Sequence, residues 1–198
     1  LVDDKRPAYL LDLQEAPAKL DRSELAYVEQ GERAMVSAKY KCRIRDPWYA
    51  VPSVWDPHAV LLRQAGDVPR VVHLAKKCTA TDTLHRVRWR CPSDGRSLAA
   101  GFMNTITLLA AELLGRSYGG GVLELMPKEA NALPIPGPVP ELECIFNLVD
   151  SMVRARNHLG AIAAIDRIVL PVWVCRRERT RLEEALLALV QRRKRRAS

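Results

Sequence analysis

The stretch Leu133-Pro134-Ile135-Pro136-Gly137-Pro138-Val139-Pro140-Glu141 divides the chain into two parts of different character. Its alternate prolines fix φ and withhold backbone donors, so neither a helix nor a central strand can run through them. The segment reads as a stiff, extended linker. Downstream of it the pattern is helical, with amphipathic stretches at 141–156, 161–170 and 178–196. The last ends in Arg192-Arg193-Lys194-Arg195-Arg196, a run expected to fray and to add only nonspecific affinity for anions.

Upstream of the prolines the signals are mixed. Asp21, Ser23 and Glu24 offer helix caps, Leu25 and Val28 follow at helical spacing, and Gly31 reads as a stop. Residues 59–62 and 71–74 are short apolar runs joined through Ala65-Gly66-Asp67-Val68, a hairpin signature with Gly66 able to take a positive φ. Residues 84–89 read as another strand. Residues 97–114 form the clearest helix, ending at Gly115. Gly119-Gly120-Gly121 makes a turn into a strand from Val122, and Pro127 opens a short helix through Leu133. The expected fold is α/β (α+β): an entering segment and short helix at 1–30, a mixed domain with a small sheet and helices at 31–136, a linker at 137–140, and a C-terminal helical subdomain at 141–198.

Composition narrows the function classes. Of 198 residues, 48% are hydrophobic and 27% charged, so a packed core is feasible and global disorder is excluded. Lys plus Arg number 31 against 23 Asp plus Glu, a net +8. That excess favours an anionic partner, nucleic acid before an acidic membrane. No apolar run approaches the ~20 residues that span a bilayer, so no membrane partner is expected. Five cysteines, an odd count without C-x-x-C spacing, argue against a disulfide framework and a zinc ribbon, and fit free thiols in a reducing cytoplasm. His58, His73, His85 and His158 are scattered, so no metal is expected. No secretory signal is evident, and a start at Leu1 rather than Met suggests a piece of a longer protein. Neither a phosphate-binding G-x-x-x-x-G-K-[ST] loop nor a G-x-S-x-G elbow is present.

Three polar clusters stand out. In Lys39-Tyr40-Lys41-Cys42-Arg43-Ile44-Arg45, the cations Lys39, Lys41, Arg43 and Arg45 recur at period two, which on a strand puts all four on one face. Such a row is either neutralised by phosphates or is the charged guard of an edge strand. In Thr81-Asp82-Thr83-Leu84-His85-Arg86, the side chains of Thr81, Asp82, Thr83, His85 and Arg86 could address base edges; they could equally be exposed strand residues. In Arg116-Ser117-Tyr118-Gly119-Gly120, glycines at Gly119 and Gly120 expose amides that can bind phosphate, or simply supply unusual dihedrals.

Taken together, and in this order and spacing, these segments resemble the target-recognition region of the TaqI-like gamma class of adenine-N6 DNA methyltransferases of restriction-modification systems. The resemblance runs over roughly residues 20–136, through Tyr40–Arg45 with Pro47-Trp48-Tyr49, Thr81–Val87, and Gly115–Leu125 continuing into Pro127 and Leu133-Pro134-Ile135-Pro136. It implies sequence-specific recognition of double-stranded DNA by a C-terminal specificity domain. The N-terminal methyltransferase domain, which carries the chemistry and S-adenosylmethionine, is absent from this chain, and a bacterial cytoplasm is the implied location. Asp46-Pro47-Trp48-Tyr49 lacks the second proline of the methyltransferases' Asn/Asp-Pro-Pro-aromatic motif and no glycine-rich cofactor loop follows a strand. It therefore reads as a packed turn, and no catalytic residue and no cofactor are assigned here. The parent would be an enzyme; this chain alone would not. Two alternatives stand beside this reading: a helical protein-interaction module with a basic tail, and the recognition part of a fused restriction nuclease-methyltransferase.

Overall fold

The computed structural model describes residues 9–170 and 174–195. The first eight residues of the entering segment and Arg196 of the basic run lie outside the described residues. Two compact units meet in sequence between Trp55 and Asp56.

The first unit holds α1 (Arg22–Arg33) and α2 (Tyr40–Arg43). The start of α1 is the one the sequence announces. Asp21 Oδ1 accepts from the amides of Ser23 (2.7 Å) and Glu24 (2.9 Å), and Glu24 Oε2 accepts from the Asp21 amide at 2.9 Å. This reciprocal box satisfies donors that have no partner within the helix. Gly31 is not the stop, because α1 runs on to Arg33. Its glycine makes room for an indole: a Cβ there would lie 2.5 Å from Trp48 Cη2. Trp48 Nε1 donates to Glu32 Oε1 at 3.2 Å and Tyr49 Oη to the Glu15 carbonyl at 2.6 Å. The 46–49 segment is thus the packed turn expected, with a cis Asp46–Pro47 bond.

The basic row is not a strand. Lys39 precedes the single turn of α2, and its carbonyl accepts from the amides of Cys42 and Arg43, both at 2.9 Å. Alternating charges cannot show whether a partner strand is present; here the backbone closes its hydrogen bonds locally instead. At about 100° per residue, Lys39 and Arg43 fall on one side and Lys41 on the other. The one-faced row is therefore lost. Arg45 turns back, donating to the Ala50 carbonyl at 3.4 Å.

The second unit contains two antiparallel three-stranded sheets. Its strands are β1 (Ala59–Leu62), β2 (Gln64–Ala65), β3 (Val71–His73), β4 (Leu84–Val87), β5 (Arg116–Tyr118) and β6 (Val122–Glu124), ordered β3-β1-β4 and β2-β6-β5. The expected pairing of the two apolar runs is present, with Ala59 opposite His73 and Leu61 opposite Val71. Their connection is more than a turn: β2 crosses to pair with β6 in the other sheet. Gly66 is not among the residues with positive φ; Gly120 (76°) and Gly121 (69°) are the glycines that are.

The helix expected at 97–114 is two helices, α3 (Gly95–Gly101) and α4 (Thr105–Leu114), bent by 78°. Asn104 makes the break. Its Oδ1 accepts from the Thr107 amide at 2.9 Å, while Nδ2 donates to the Gly101 carbonyl (2.7 Å) and Thr107 Oγ1 (2.6 Å). The side chain closes one helix and caps the next, using its amide at both ends. Gly115 ends α4 without a left-handed φ (−74°). A Cβ there would lie 2.7 Å from both the Ala111 carbonyl and Leu123 Cδ1, so close packing of α4 on β6 requires the glycine.

α5 (Pro127–Asn131), α6 (Pro140–Arg154), α7 (His158–Val169) and α8 (Arg176–Arg195) follow. The proline segment between α5 and α6 forms no helix or strand and is fastened. Ser97 Oγ donates to the Val139 carbonyl at 3.0 Å, and Thr107 Oγ1 donates to the Pro134 carbonyl. α6 packs on α3 and α8 on α4. The shared core includes Leu61, Phe102, Leu108, Leu123, Leu125, Leu142, Ile165 and Leu170. Within the described part of the terminal run, 192–195 is helical and Arg193 is buried. Among the described residues, no single helix is long and apolar enough to cross a membrane.

Candidate nucleic-acid interface

Two of the polar segments singled out by sequence come together in the second unit, on residues the sequence reading passed over. Arg63 follows β1. Its Nε donates to Glu124 Oε1 at 3.0 Å, and its Nη1 reaches the Asp82 carbonyl at 3.5 Å. In the second sheet Glu124 stands between Gln64 and Arg116, and Gln64 Nε2 also donates to Glu124 Oε1, at 3.3 Å. Arg116 Nε then donates to Glu129 Oε1 at 3.0 Å. A polar seam therefore runs from the Thr81–Thr83 segment through Arg63 and Glu124 to Arg116 and Glu129.

The seam is electrostatically ordered. Burial works against ionisation of Glu124, but hydrogen bonds from Tyr118 and Gln64 and the Arg63 charge hold its carboxyl below the ordinary range. The Met126 amide, which donates to Glu129 Oε2 at 2.8 Å, and the Arg116 guanidinium hold Glu129 low as well. Glu129 in turn raises Arg116. Arg116 is thus held by Glu129 and by Tyr118 while its side chain stays exposed.

The remaining candidates are placed as follows. Thr81, Asp82 and Thr83 are exposed, with the two threonine hydroxyls 2.9 Å apart. His85 is half-buried and its Nε2 meets the Leu125 carbonyl at 2.6 Å, so that nitrogen serves the fold. Arg86 lies on β4 opposite Val60. Ser117, Tyr118, Gly119 and Gly120 are exposed. Gly120 needs glycine for its dihedral, but Gly119 has neither a positive φ nor any heavy atom within 4 Å of an added Cβ. Nothing inside the described fold demands glycine at 119. Lys39, Lys41, Arg43 and Arg45 belong to the first unit. Glu129 could have been found from sequence, as the third residue of a helix opened by Pro127. Arg63 and Glu124 could not, because their meaning lies in a pairing 61 residues apart.

The family model for the C-terminal domain of the Type II methyltransferase M.Eco57I matches residues 1–170. The chain belongs to this family. It is a C-terminal domain of a Type II methyltransferase, in line with the methyltransferase resemblance carried by the polar segments. No curated protein and no solved structure matches it. The family match takes in both sheets and helices α1 to α7 and ends before α8. Among the described residues, no group of three or more His, Cys, Asp or Glu side chains is placed to hold a metal ion.

Proposed function

We propose that this chain is the DNA target-recognition region of an adenine-N6 methyltransferase and that the seam around Arg116 addresses the duplex. The observation that carries the reading is the joining of the Asp82 and Arg116 segments through Arg63 and Glu124. Polar residues far apart in sequence share one braced array, buried at Glu124 and exposed at its Thr81–Thr83 and Arg116 ends, where base edges could be met. The open Gly119 adds a place where a sugar-phosphate backbone can approach the chain closely. The net charge of +8 supplies the sequence-independent attraction. In this reading the chain reads sequence and carries no methyl-transfer chemistry. S-adenosylmethionine and the catalytic groups belong to a methyltransferase region outside these residues, and the protein works on DNA in the cytoplasm. A nuclease fused to the same polypeptide is compatible with the reading; an interaction module without DNA contact is not.

The test is binding of labelled duplex DNA to the chain across a salt series. With Z phosphates neutralised, log K should fall against log salt with a slope of about −0.9Z. Absence of binding at low salt, or an affinity indifferent to salt, overturns the proposal in favour of a protein-interaction module.

A further inference from the structure

Gln64 on β2 and Arg116 on β5 are both directly opposite Glu124 on β6, so the three form one row across the second sheet and share a face. Gln64 and Arg116 are exposed, and Glu124 is buried between them. Cations and acids balance along the seam. Arg63 meets Glu124, Arg116 meets Glu129, and the Asp82 carbonyl lies 3.5 Å from Arg63 Nη1. An array without excess positive charge is poorly suited to phosphates. The Arg63 guanidinium is taken up by the fold, its Nη2 also reaching Met126 Sδ at 3.6 Å. Gln64 is the uncharged member of the row, and one Nε2 hydrogen goes to Glu124 Oε1 at 3.3 Å. Burial works against the Glu124 charge, yet Tyr118, Gln64 and Arg63 hold the carboxyl below its ordinary range. A carboxylate only accepts, so the amide nitrogen must face it, which fixes which way round the Gln64 amide sits. The second N–H and the carbonyl oxygen, a donor beside an acceptor, have no partner among the described residues.

We propose that Gln64 is a specificity-determining residue of the seam and reads an adenine in the major groove, an inference that rests on the reading of the chain as a DNA-recognition region. Adenine presents its N7 acceptor beside its N6 amino donor, the complement of the donor and acceptor that Gln64 offers. Guanine presents two acceptors, N7 and O6, and sets O6 against the Gln64 carbonyl oxygen. Cytosine offers an amino donor without N7 beside it, and thymine an acceptor beside a methyl group. The amide cannot invert to follow a different base, because inversion would set its oxygen against the Glu124 carboxylate. Glu124 is then a positioning residue: by holding the nitrogen it turns a freely rotating amide into a reader of one base, and it penalises the alternatives as well as favouring the match.

The experiment starts from duplexes that the unaltered chain selects from a randomised pool. Each adenine of the selected site is replaced in turn by 7-deazaadenine, in which a C–H stands in place of N7, and binding is measured for the unaltered chain and for Gln64→Ala. At one adenine the replacement should weaken the unaltered chain by about 5- to 150-fold and leave Gln64→Ala indifferent. Gln64→Ala should lose preference at that base pair alone. If the unaltered chain selects a sequence but no adenine in it senses the loss of N7, the assignment to Gln64 falls while the DNA-recognition reading stands; that arm needs no variant to fold. Sensitivity that persists in Gln64→Ala gives the adenine to another side chain and overturns the proposal. So does a Gln64→Ala variant that weakens every sequence alike or relaxes a G·C pair, since Gln64 then only supports the seam. Failure of the unaltered chain to select any sequence overturns both readings.

Discussion

Replacing Arg193 with methionine should destabilise the protein by about 3–5 kcal/mol, the cost of removing one partner from a buried ion pair. The Arg193 side chain is 2% exposed and that of Glu112 5%. The guanidinium donates to Glu112 through Nε (3.1 Å to Oε2) and Nη2 (2.9 Å to Oε1), to the Gly66 and Asp67 carbonyls (both 2.9 Å), and to the Gly121 carbonyl. One side chain thus joins α8 to α4, to the β2–β3 connection and to the glycine turn after β5. Its removal leaves Glu112 charged and buried and strips three carbonyls of a donor. Arg193→Lys should recover little, because an ammonium cannot reproduce the fork. The double change Arg193→Met with Glu112→Leu should recover a substantial part, since a hydrophobic pair leaves no charge unpaired. Urea unfolding measures all three. A loss below about 1 kcal/mol for Arg193→Met would show that the clamp contributes little.

The second large effect is expected at Asp166, on α7. Its Oδ1 accepts from the Thr105 amide at 2.9 Å and its Oδ2 from the Thr105 hydroxyl at 2.6 Å, with both residues buried. The carboxylate thereby caps the N-terminus of α4 from 61 residues away. Asp166→Ala orphans both donors. At roughly 1–3 kcal/mol for each of the two buried unsatisfied groups, the loss should be about 2–6 kcal/mol. Asp166→Asn keeps an acceptor for the amide and should cost less than about 1 kcal/mol at neutral pH. The pH dependence has a definite sign. Burial pushes the Asp166 carboxyl above its ordinary 3.8, against the opposing hydrogen bonds from Thr105. The native state therefore holds this proton more tightly than the unfolded chain, and the unaltered protein loses stability as pH rises from 3.8 through the raised native value. The asparagine variant lacks that loss, so its stability relative to the unaltered protein should improve with rising pH across this window and then level off. Paired urea titrations from acid to neutral pH measure it; a difference that is flat, or that shrinks as pH rises, contradicts the assignment.

These two residues also show which parts of the structure were legible in sequence. The capping box at Asp21 and Glu24 spans three residues and is fully local, so the start of α1 could be read directly. The apolar runs at 59–62 and 71–74 pair as expected, although the turn chemistry expected at Gly66 is absent and β2 between them joins the other sheet. The break between α3 and α4 was not legible, because Asn104 interrupts a continuous apolar pattern and the N-terminus it caps is completed by Asp166. The basic row at 39–45 misled because charge periodicity describes side chains and says nothing about a partner strand. Arg193 looked like one of a terminal run of solvated charges; its partners Gly66, Asp67, Glu112 and Gly121 are 72 to 127 residues away. In the candidate site, Arg116 and the Asp82 segment were visible as unusual polar clusters. The Arg63–Glu124 pair that joins them was hidden, one residue lying between β1 and β2 and the other in β6.

The most direct measurement is selection of bound duplexes from a pool with a randomised central segment, using the chain itself, followed by sequencing of the bound fraction. The expected result is enrichment of one short sequence family by the unaltered chain, and loss of preference at one of its base pairs in Arg116→Ala while phosphate-driven binding persists. Recovery of DNA without any enriched sequence would contradict the assignment of target recognition to this domain.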